Sequence, residues 1–444
     1  MTMLNKVRQS AVLIVLVIGF ITCAKAIEMG SYFPSWSADS HFRLRQFDQA
    51  GLAGQLTYLN YAFENLYNMP DGSYRCRNGS DIAEHALGFG MHATLDYARQ
   101  FSADESVDGL ADQENQQLAG NFNQIKQLKE KHPQLKVMVT LGGWSWSRWF
   151  SAGAATPKLR QILVASCVDL YIKGNLPVWH GHGGKGAASN LFDGFDLDWE
   201  HPGLPGFGYN TVSEHDKKNF TLLLAEFRKQ LNAQSKKNGK RYFLSAAINS
   251  ADQNVKHTEP EKYSHYIDWV NLMSYDFHGA WDKNGPTNFQ SNLYSDPNDP
   301  SKNDAKQSVD DGVKRLLAAG MPPKKIVLGV PFYARGWRGV LAKNNGLYQQ
   351  ASGPAQGSEE GAESYAEMNS RPTASSPERF YHPITKQLWT FERGVFWTYD
   401  DPVVIREKIK YIQRTHLGGM MSWSLDQDDV GFSLTKTMVE LNRP

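Results

Sequence analysis

Residues Phe192-Asp193-Gly194-Phe195-Asp196-Leu197-Asp198-Trp199-Glu200 set three acids, Asp196, Asp198 and Glu200, at alternate positions of an apolar run. In a β-strand, successive side chains point to opposite faces. The three carboxyl groups therefore share one face, and Phe195, Leu197 and Trp199 share the other. Burying a carboxylate without a partner is costly, and a row of them more so. Such a strand is tolerated where its acids share protons and hydrogen bonds at the mouth of a catalytic cavity, the setting that general acid–base work needs. The alternative is a half-exposed edge strand with a solvated acidic face. Large apolar residues at every other position, and the stop at His201-Pro202-Gly203, argue against it. Asp193 breaks the alternation and reads as a supporting residue at the strand's entry.

Other segments invite chemistry and offer less. His180-Gly181-His182 suggests a metal, but no third ligand stands at usable spacing, so a solvated loop is expected there. Gly183-Gly184-Lys185-Gly186 has the wrong spacing for a phosphate-binding loop and reads as a flexible turn before the acidic strand. The chain holds 12 Trp and 19 Tyr, and they recur at the ends of candidate strands. Aromatic faces at a cleft suit the apolar faces of sugar rings; core packing accounts for others, and Trp146, Trp281, Trp389 and Trp397 fit either use.

The acidic strand needs neighbours. Eight short apolar runs read as strands: Met29–Phe33, Leu56–Phe63, Lys136–Leu141, Gly194–Glu200, Phe243–Asn249, Trp269–Tyr275, Ile326–Pro331 and Gly419–Trp423. Helical patterns lie between them, at Glu114–His132, Pro157–Ile172, Glu214–Ala233, Ser308–Ala319 and Pro402–Thr415. Strand–helix alternation with buried strands predicts parallel pairing, and eight repeats predict a (β/α)8 TIM barrel with its chemistry at the carboxyl ends of the strands. Trp144, Glu200, Tyr275, Arg335 and Trp423 all fall at such ends. A doubly wound sheet would need a glycine-rich phosphate fingerprint, which is not found.

A barrel takes about 250 residues, far fewer than this chain of 444. The surplus between the seventh strand and the last helix, residues 337–396, reads as a small α+β subdomain forming one wall of the cleft. The barrel is then assigned to 27–336 and 397–444. Residues Glu64–Gln113 read as a long loop excursion. No Pro/Ser-rich linker or added binding module is read at either end.

Lys6 and Arg8, an apolar stretch from Ala11 to Ile21, and Ala24-Lys25-Ala26 read as a secretory signal peptide over residues 1–26. Its removal leaves 44 basic against 46 acidic residues, which speaks against nucleic acid or an anionic membrane as partner. The expected location is secreted, extracellular or periplasmic, as a monomer or as a subunit of a larger secreted assembly. Cys76 and Cys167 remain after cleavage; they lie in unrelated segments, and two separate thiols are expected. Asn78-Gly79-Ser80 and Asn219-Phe220-Thr221 fit the glycosylation pattern.

The motifs resemble those of glycoside hydrolase family 18, the chitinases and their relatives, over nearly the whole mature chain. Asp193 to Glu200 fits the family's DxxDxDxE signature. Leu141-Gly142-Gly143-Trp144 is similar to its SxGG motif, with Thr140 for Ser. Met273-Ser274-Tyr275-Asp276 resembles MxYD, Tyr333-Ala334-Arg335-Gly336-Trp337 resembles YGRGW with Ala334 for Gly, and Gly418 to Trp423 resembles GGxMxW. The insertion lies where bacterial-type members carry an α+β subdomain.

The resemblance implies a retaining, substrate-assisted hydrolysis of β-1,4 linkages between N-acetylglucosamine units in chitin and its oligosaccharides, with no metal and no cofactor. It implies Glu200 as general acid/base, Asp198 holding the acetamido N–H, Asp196 sharing a proton with Asp198, and Tyr275 holding the acetamido carbonyl. Trp423 would form the floor under the reacting sugar and Trp144 a platform beside it. Asp276, Tyr32, Phe63, Met273, Arg335 and Trp281 would line the cleft. An endo-β-N-acetylglucosaminidase or a non-catalytic chitin-binding lectin is possible on the same fold. Without an added binding module, faster turnover of soluble oligomers than of crystalline chitin is expected.

Overall fold

A computed structural model describes residues 27–39, 42–78, 83–84, 89–90, 93–301, 307–370 and 377–442. The expected signal peptide therefore lies outside the described residues. Eight parallel strands close into a barrel. In chain order they are β1 (Glu28–Pro34), β2 (Tyr58–Glu64), β3 (Lys136–Gly142), β4 (Gly194–Asp198), β5 (Phe243–Asn249), β6 (Trp269–Met273), β7 (Ile326–Pro331) and β8 (Gly419–Trp423). Each is paired with its neighbours in sequence, and β1 with β8.

The period-two pattern sorts the strand side chains into two cores. One faces outward beneath the helices and includes Phe195, Leu197 and Trp199. The other fills the barrel: Tyr32, Tyr58, Met138, Trp269, Val327 and Met421 meet there, with Phe63, Met273 and Trp423 packed against them. Asp196 and Asp198 point inward among these rings, as the alternation requires. The helices Gly120–Lys131, Pro157–Cys167, Asp216–Asn238, Val309–Ala318 and Pro402–Thr415 lie outside. Thr156 caps the second through a hydrogen bond from the Leu159 N–H, and Pro157 at its first position needs no donor.

Two strands stop earlier than expected, and the difference matters. β4 ends at Asp198 and β6 at Met273. Glu200, Tyr275 and Asp276 thus stand on the turns above the barrel, and Asp276 takes a left-handed conformation.

A second sheet follows β7. Tyr333–Arg338 pairs with Val395–Tyr399, which pairs with Leu388–Glu392 and then Arg379–Tyr381; Gly353–Pro354 and Ala362–Ser364 flank the first strand. It carries its own small core of Phe289, Trp337, Val340, Leu347, Trp389 and Phe396. The sheet begins and ends a few residues outside the expected 337–396 span. A buried ion pair between Lys408 and Asp400, with Asp400 also accepting from Ser291 and Gln387, ties it to the helix Pro402–Thr415.

The described part of the excursion after β2 contains regular elements. Leu66–Asn68 pairs with Tyr74–Cys76, and a π-helical turn covers Thr94–Ala98. The two thiols expected for Cys76 and Cys167 are instead one disulfide, with Cα atoms 4.9 Å apart. Folding brings the hairpin onto the end of the helix Pro157–Cys167, a contact between residues 91 apart in sequence. The Gly183 segment, expected as a flexible turn, forms a short antiparallel pair, His182–Gly184 with Leu176–Trp179. A Cβ at Gly183 would meet the Pro177 carbonyl oxygen at 2.1 Å.

Both glycosylation patterns hold buried asparagines. Asn78 donates to Asp96 at 2.7 Å, and Asn219 sits within the helix Asp216–Asn238. Gly79 and Ser80 of the first pattern lie outside the described residues.

Candidate active site

The acidic row is graded by depth. Asp196 is fully buried and its carboxylate is saturated: Oδ2 accepts from the Tyr32 hydroxyl (2.7 Å) and Thr140 Oγ1 (3.4 Å), and Oδ1 from Ser245 Oγ (2.6 Å) and Asn271 Nδ2 (2.9 Å). These partners come from β1, β3, β5 and β6. Burial pushes its titration up, and the four hydrogen bonds pull it back.

Asp198 lies one step higher and differs sharply. Its Oδ1 is buried and has no hydrogen-bond partner among the described residues. Burial, then the charges of Glu200 and Asp196, hold its carboxyl well above the usual range. The expected proton shared with Asp196 is not seen as a hydrogen bond here; every acceptor site of Asp196 faces another group.

Glu200 stands at the rim of the barrel with 15% of its side chain exposed. Burial and the nearby Asp276 push its carboxyl up to about 8, so it holds a proton at neutral pH. Its backbone is pinned at both ends. Ser147 Oγ accepts the Glu200 N–H at 2.8 Å and donates to the Asp198 carbonyl at 3.1 Å, while Asn210 donates to the Glu200 carbonyl at 2.8 Å. The turn after β3 reaches this close because Gly142 and Gly143 adopt positive φ. A Cβ on Gly142 would lie 2.3 Å from the Asp198 carbonyl oxygen, and one on Gly143 would strike the Phe63 ring.

On the β6 side, Asp276 accepts from Arg335 Nε at 2.8 Å, and the Arg335 guanidinium lies over the Trp281 and Tyr333 rings. Arg335 comes from the inserted sheet, so this pair joins the sheet to the rim. The Tyr275 ring stands edge-on to Tyr333, and burial followed by the charge of Asp198 holds its phenol protonated.

Aromatic rings line the rim on both sides of the carboxyls. Trp423 stacks on Phe63 with centroids 5.3 Å apart and meets Tyr32 at 5.4 Å. Trp144 is 49% exposed and Trp281 53%, so neither ring packs into a core. By contrast Trp146, Trp389 and Trp397 are buried. Met273 packs against the barrel interior below Tyr275. Asp193 is at the far, amino-terminal end of β4, where it binds Lys129 and Lys240 and accepts the Val137 N–H.

Some residues of this site carried no signal in the sequence. Trp36, exposed on the turn after β1, leans toward Phe63 and Trp423. Ser245 and Asn271 hold Asp196 from strands far away in sequence, and Ser147 could have been found only from its proximity to the glycine turn. His182 gives its Nδ1 to a contact with the Gln116 carbonyl. Among the described residues no group of three or more His, Cys, Asp or Glu could hold a metal, and no helix is long and apolar enough to cross a membrane.

Comparison with known proteins decides the family. The profile described as Glycosyl hydrolases family 18 matches residues 28–428. The chain belongs to glycosyl hydrolase family 18. Chitinase A1 of Niallia circulans is 32% identical over 430 residues, covering 91% of this chain and 57% of its own length. Chitinase C of Streptomyces lividans is 31% identical over 408 residues, covering 90% and 57%. This family-18 chain thus spans less than two thirds of these curated relatives. Among solved structures, the catalytic domain of psychrophilic chitinase B from Arthrobacter TAD20 superposes with a TM-score of 0.87 at 39% identity, covering 94% of this chain and 95% of that one. The TIM barrel read from strand–helix alternation is the fold of this chain, and it superposes on that catalytic domain.

Proposed function

We propose that this chain is a chitinase that cleaves β-1,4-linked N-acetylglucosamine polymers with retention, using the substrate's own acetamido group. One observation carries the reading: a protonated Glu200 sits beside Asp198, whose Oδ1 is buried and unpartnered. A substrate amide N–H is the donor that Asp198 lacks. Glu200 gives its proton to the glycosidic oxygen as the C1–O bond breaks. The acetamido carbonyl oxygen bonds to C1 from the other face, and Asp198 stabilises the resulting oxazolinium ion. Water then attacks C1, and the Glu200 carboxylate takes its proton, so that C1 regains its original configuration.

Tyr275 donates to the acetamido carbonyl and keeps it under C1. Asp196, saturated from four strands, is held in place beneath Asp198. Trp423 with Phe63 and Tyr32 supports the reacting sugar, while Trp144, Trp281 and Trp36 bind its neighbours along the rim. Asp276 and Arg335 fix the wall on the β6 side, Met273 packs beneath Tyr275, and Asp193 braces the start of β4. The division into a barrel (27–336 and 397–444) and an insertion (337–396), and secretion after loss of residues 1–26, belong to the same reading.

Hydrolysis of a chitooligosaccharide by the wild type and Glu200→Gln tests it. The variant is expected to lose at least 10²–10⁴-fold in kcat, the usual contribution of a general acid, while still binding the oligomer. No turnover by the wild type, with binding intact, would favour a lectin.

A further inference from the structure

We propose that His201 is a positioning residue for the Glu200 carboxyl: its imidazole Nε2, 3.5 Å from Glu200 Oε2, carries the ring's proton and donates it in a hydrogen bond to the carboxylate once Glu200 has given up its own. This rests on the reading of Glu200 as the acid. Both side chains are largely enclosed, with 12% of His201 and 15% of Glu200 exposed. The imidazole lies beside the Trp144 ring, centroids 6.5 Å apart, between the turns after β3 and β4.

The charges around Glu200 create the need. Asp198 lies below it on β4, and Asp276 and Tyr275 face it from the turn after β6. Arg335 of the inserted sheet spends its Nε on Asp276. Two acids thus oppose the negative charge that appears on Glu200 when the glycosidic oxygen is protonated. A nitrogen donor at that moment stabilises the carboxylate and brings the group closer to neutrality in acid strength.

The imidazole suits the task because it stays neutral. Burial pushes it down to about 4, so over the working range it presents one N–H and no charge. A cation here would strip Glu200 of its proton before the substrate arrived. A neutral donor bonds weakly to the protonated acid and strongly to the carboxylate, and so acts mainly after proton transfer.

The sign follows directly. Removing a donor to the charged form raises the acid's titration point. His201→Phe is expected to move the alkaline limb of kcat up by about one pH unit. It should also lower kcat about tenfold, with KM little changed. The loss should be larger on an unactivated chitooligosaccharide than on a chitobioside with a 4-nitrophenol leaving group, which needs less protonation. His201→Gln, whose amide N–H can take the Nε2 place, is expected to restore the limb. If His201→Phe fails to fold, His201→Gln compared with His201→Met on the two substrates serves the same end.

An unshifted or lowered limb, or equal losses on both substrates, would overturn the role of His201. Glu200→Gln is run alongside. If that variant keeps full activity, the reading of Glu200 itself fails; if it is inactive while the His201 variants behave as wild type, only the present inference falls.

Discussion

At the scale of single residues, the site works by giving similar carboxyls different surroundings. Asp196 has four donors and Asp198 Oδ1 has none, though they sit two residues apart on one strand. The alternation in the sequence revealed that the acids share a face. It could not reveal their inequality, because the donors Tyr32, Thr140, Ser245 and Asn271 reach Asp196 only through the barrel's register. The pH profile should report the arrangement. In the proposed role Glu200 acts while protonated, and burial with Asp276 pushes its carboxyl up to about 8, so kcat should fall as pH rises through that value. Asp276→Asn removes a negative neighbour, lowers Glu200's titration point and should move the same limb to lower pH. A limb that stays in place in that variant would show that Asp276 does not act on Glu200.

At the scale of elements, the excursion after β2 is held by features with little sequence signal. One is the Cys76–Cys167 disulfide. Two cysteines 91 residues apart give no hint of pairing until the hairpin Tyr74–Cys76 is laid on its helix. Replacing both with serine should lower stability by roughly 2–4 kcal/mol, read from denaturant melts of oxidised protein. The other is a buried acid pair, Glu64 at the end of β2 and Asp96 on the π-helical turn. Asn78 bridges them, Tyr171 donates to Glu64 at 2.7 Å, and Tyr61 bonds Asp96. Burial raises both, Asp96 to about 7. The folded chain therefore holds these protons more tightly than the unfolded chain. Their contribution to stability is greatest below the ordinary carboxyl range, near 4, and is lost as pH rises toward 7. Asp96→Asn should lessen the fall in thermal midpoint between pH 5 and pH 8; an unchanged fall would mean that the pair does not share a proton.

At the scale of the whole molecule, eight strand–helix repeats were legible because buried parallel strands read as continuous apolar runs. Three strand spans, β5, β7 and β8, coincide with the sequence reading. The strands that ended early, β4 and β6, are those whose last residues turn upward to carry Glu200 and Tyr275, the residues to which the proposed reaction is assigned. The joint between barrel and inserted sheet was not legible. It depends on Lys408 and Asp400, eight residues apart and both fully buried. Asp400→Asn would leave the Lys408 ammonium buried without a counter-charge, at a loss of about 3–5 kcal/mol in unfolding experiments. Arg335 and Asp276 form a second joint, at the cleft.

The central claim is that the substrate's acetamido group, held by Asp198 and Tyr275, attacks C1 while Glu200 protonates the leaving oxygen. Its most direct test is a time-resolved proton NMR spectrum of chitooligosaccharide hydrolysis, recorded before mutarotation. The β-anomer should appear first and decay toward the equilibrium mixture. An α-anomer at the earliest time would mean direct attack by water, and the account of Asp198 and Tyr275 would be wrong.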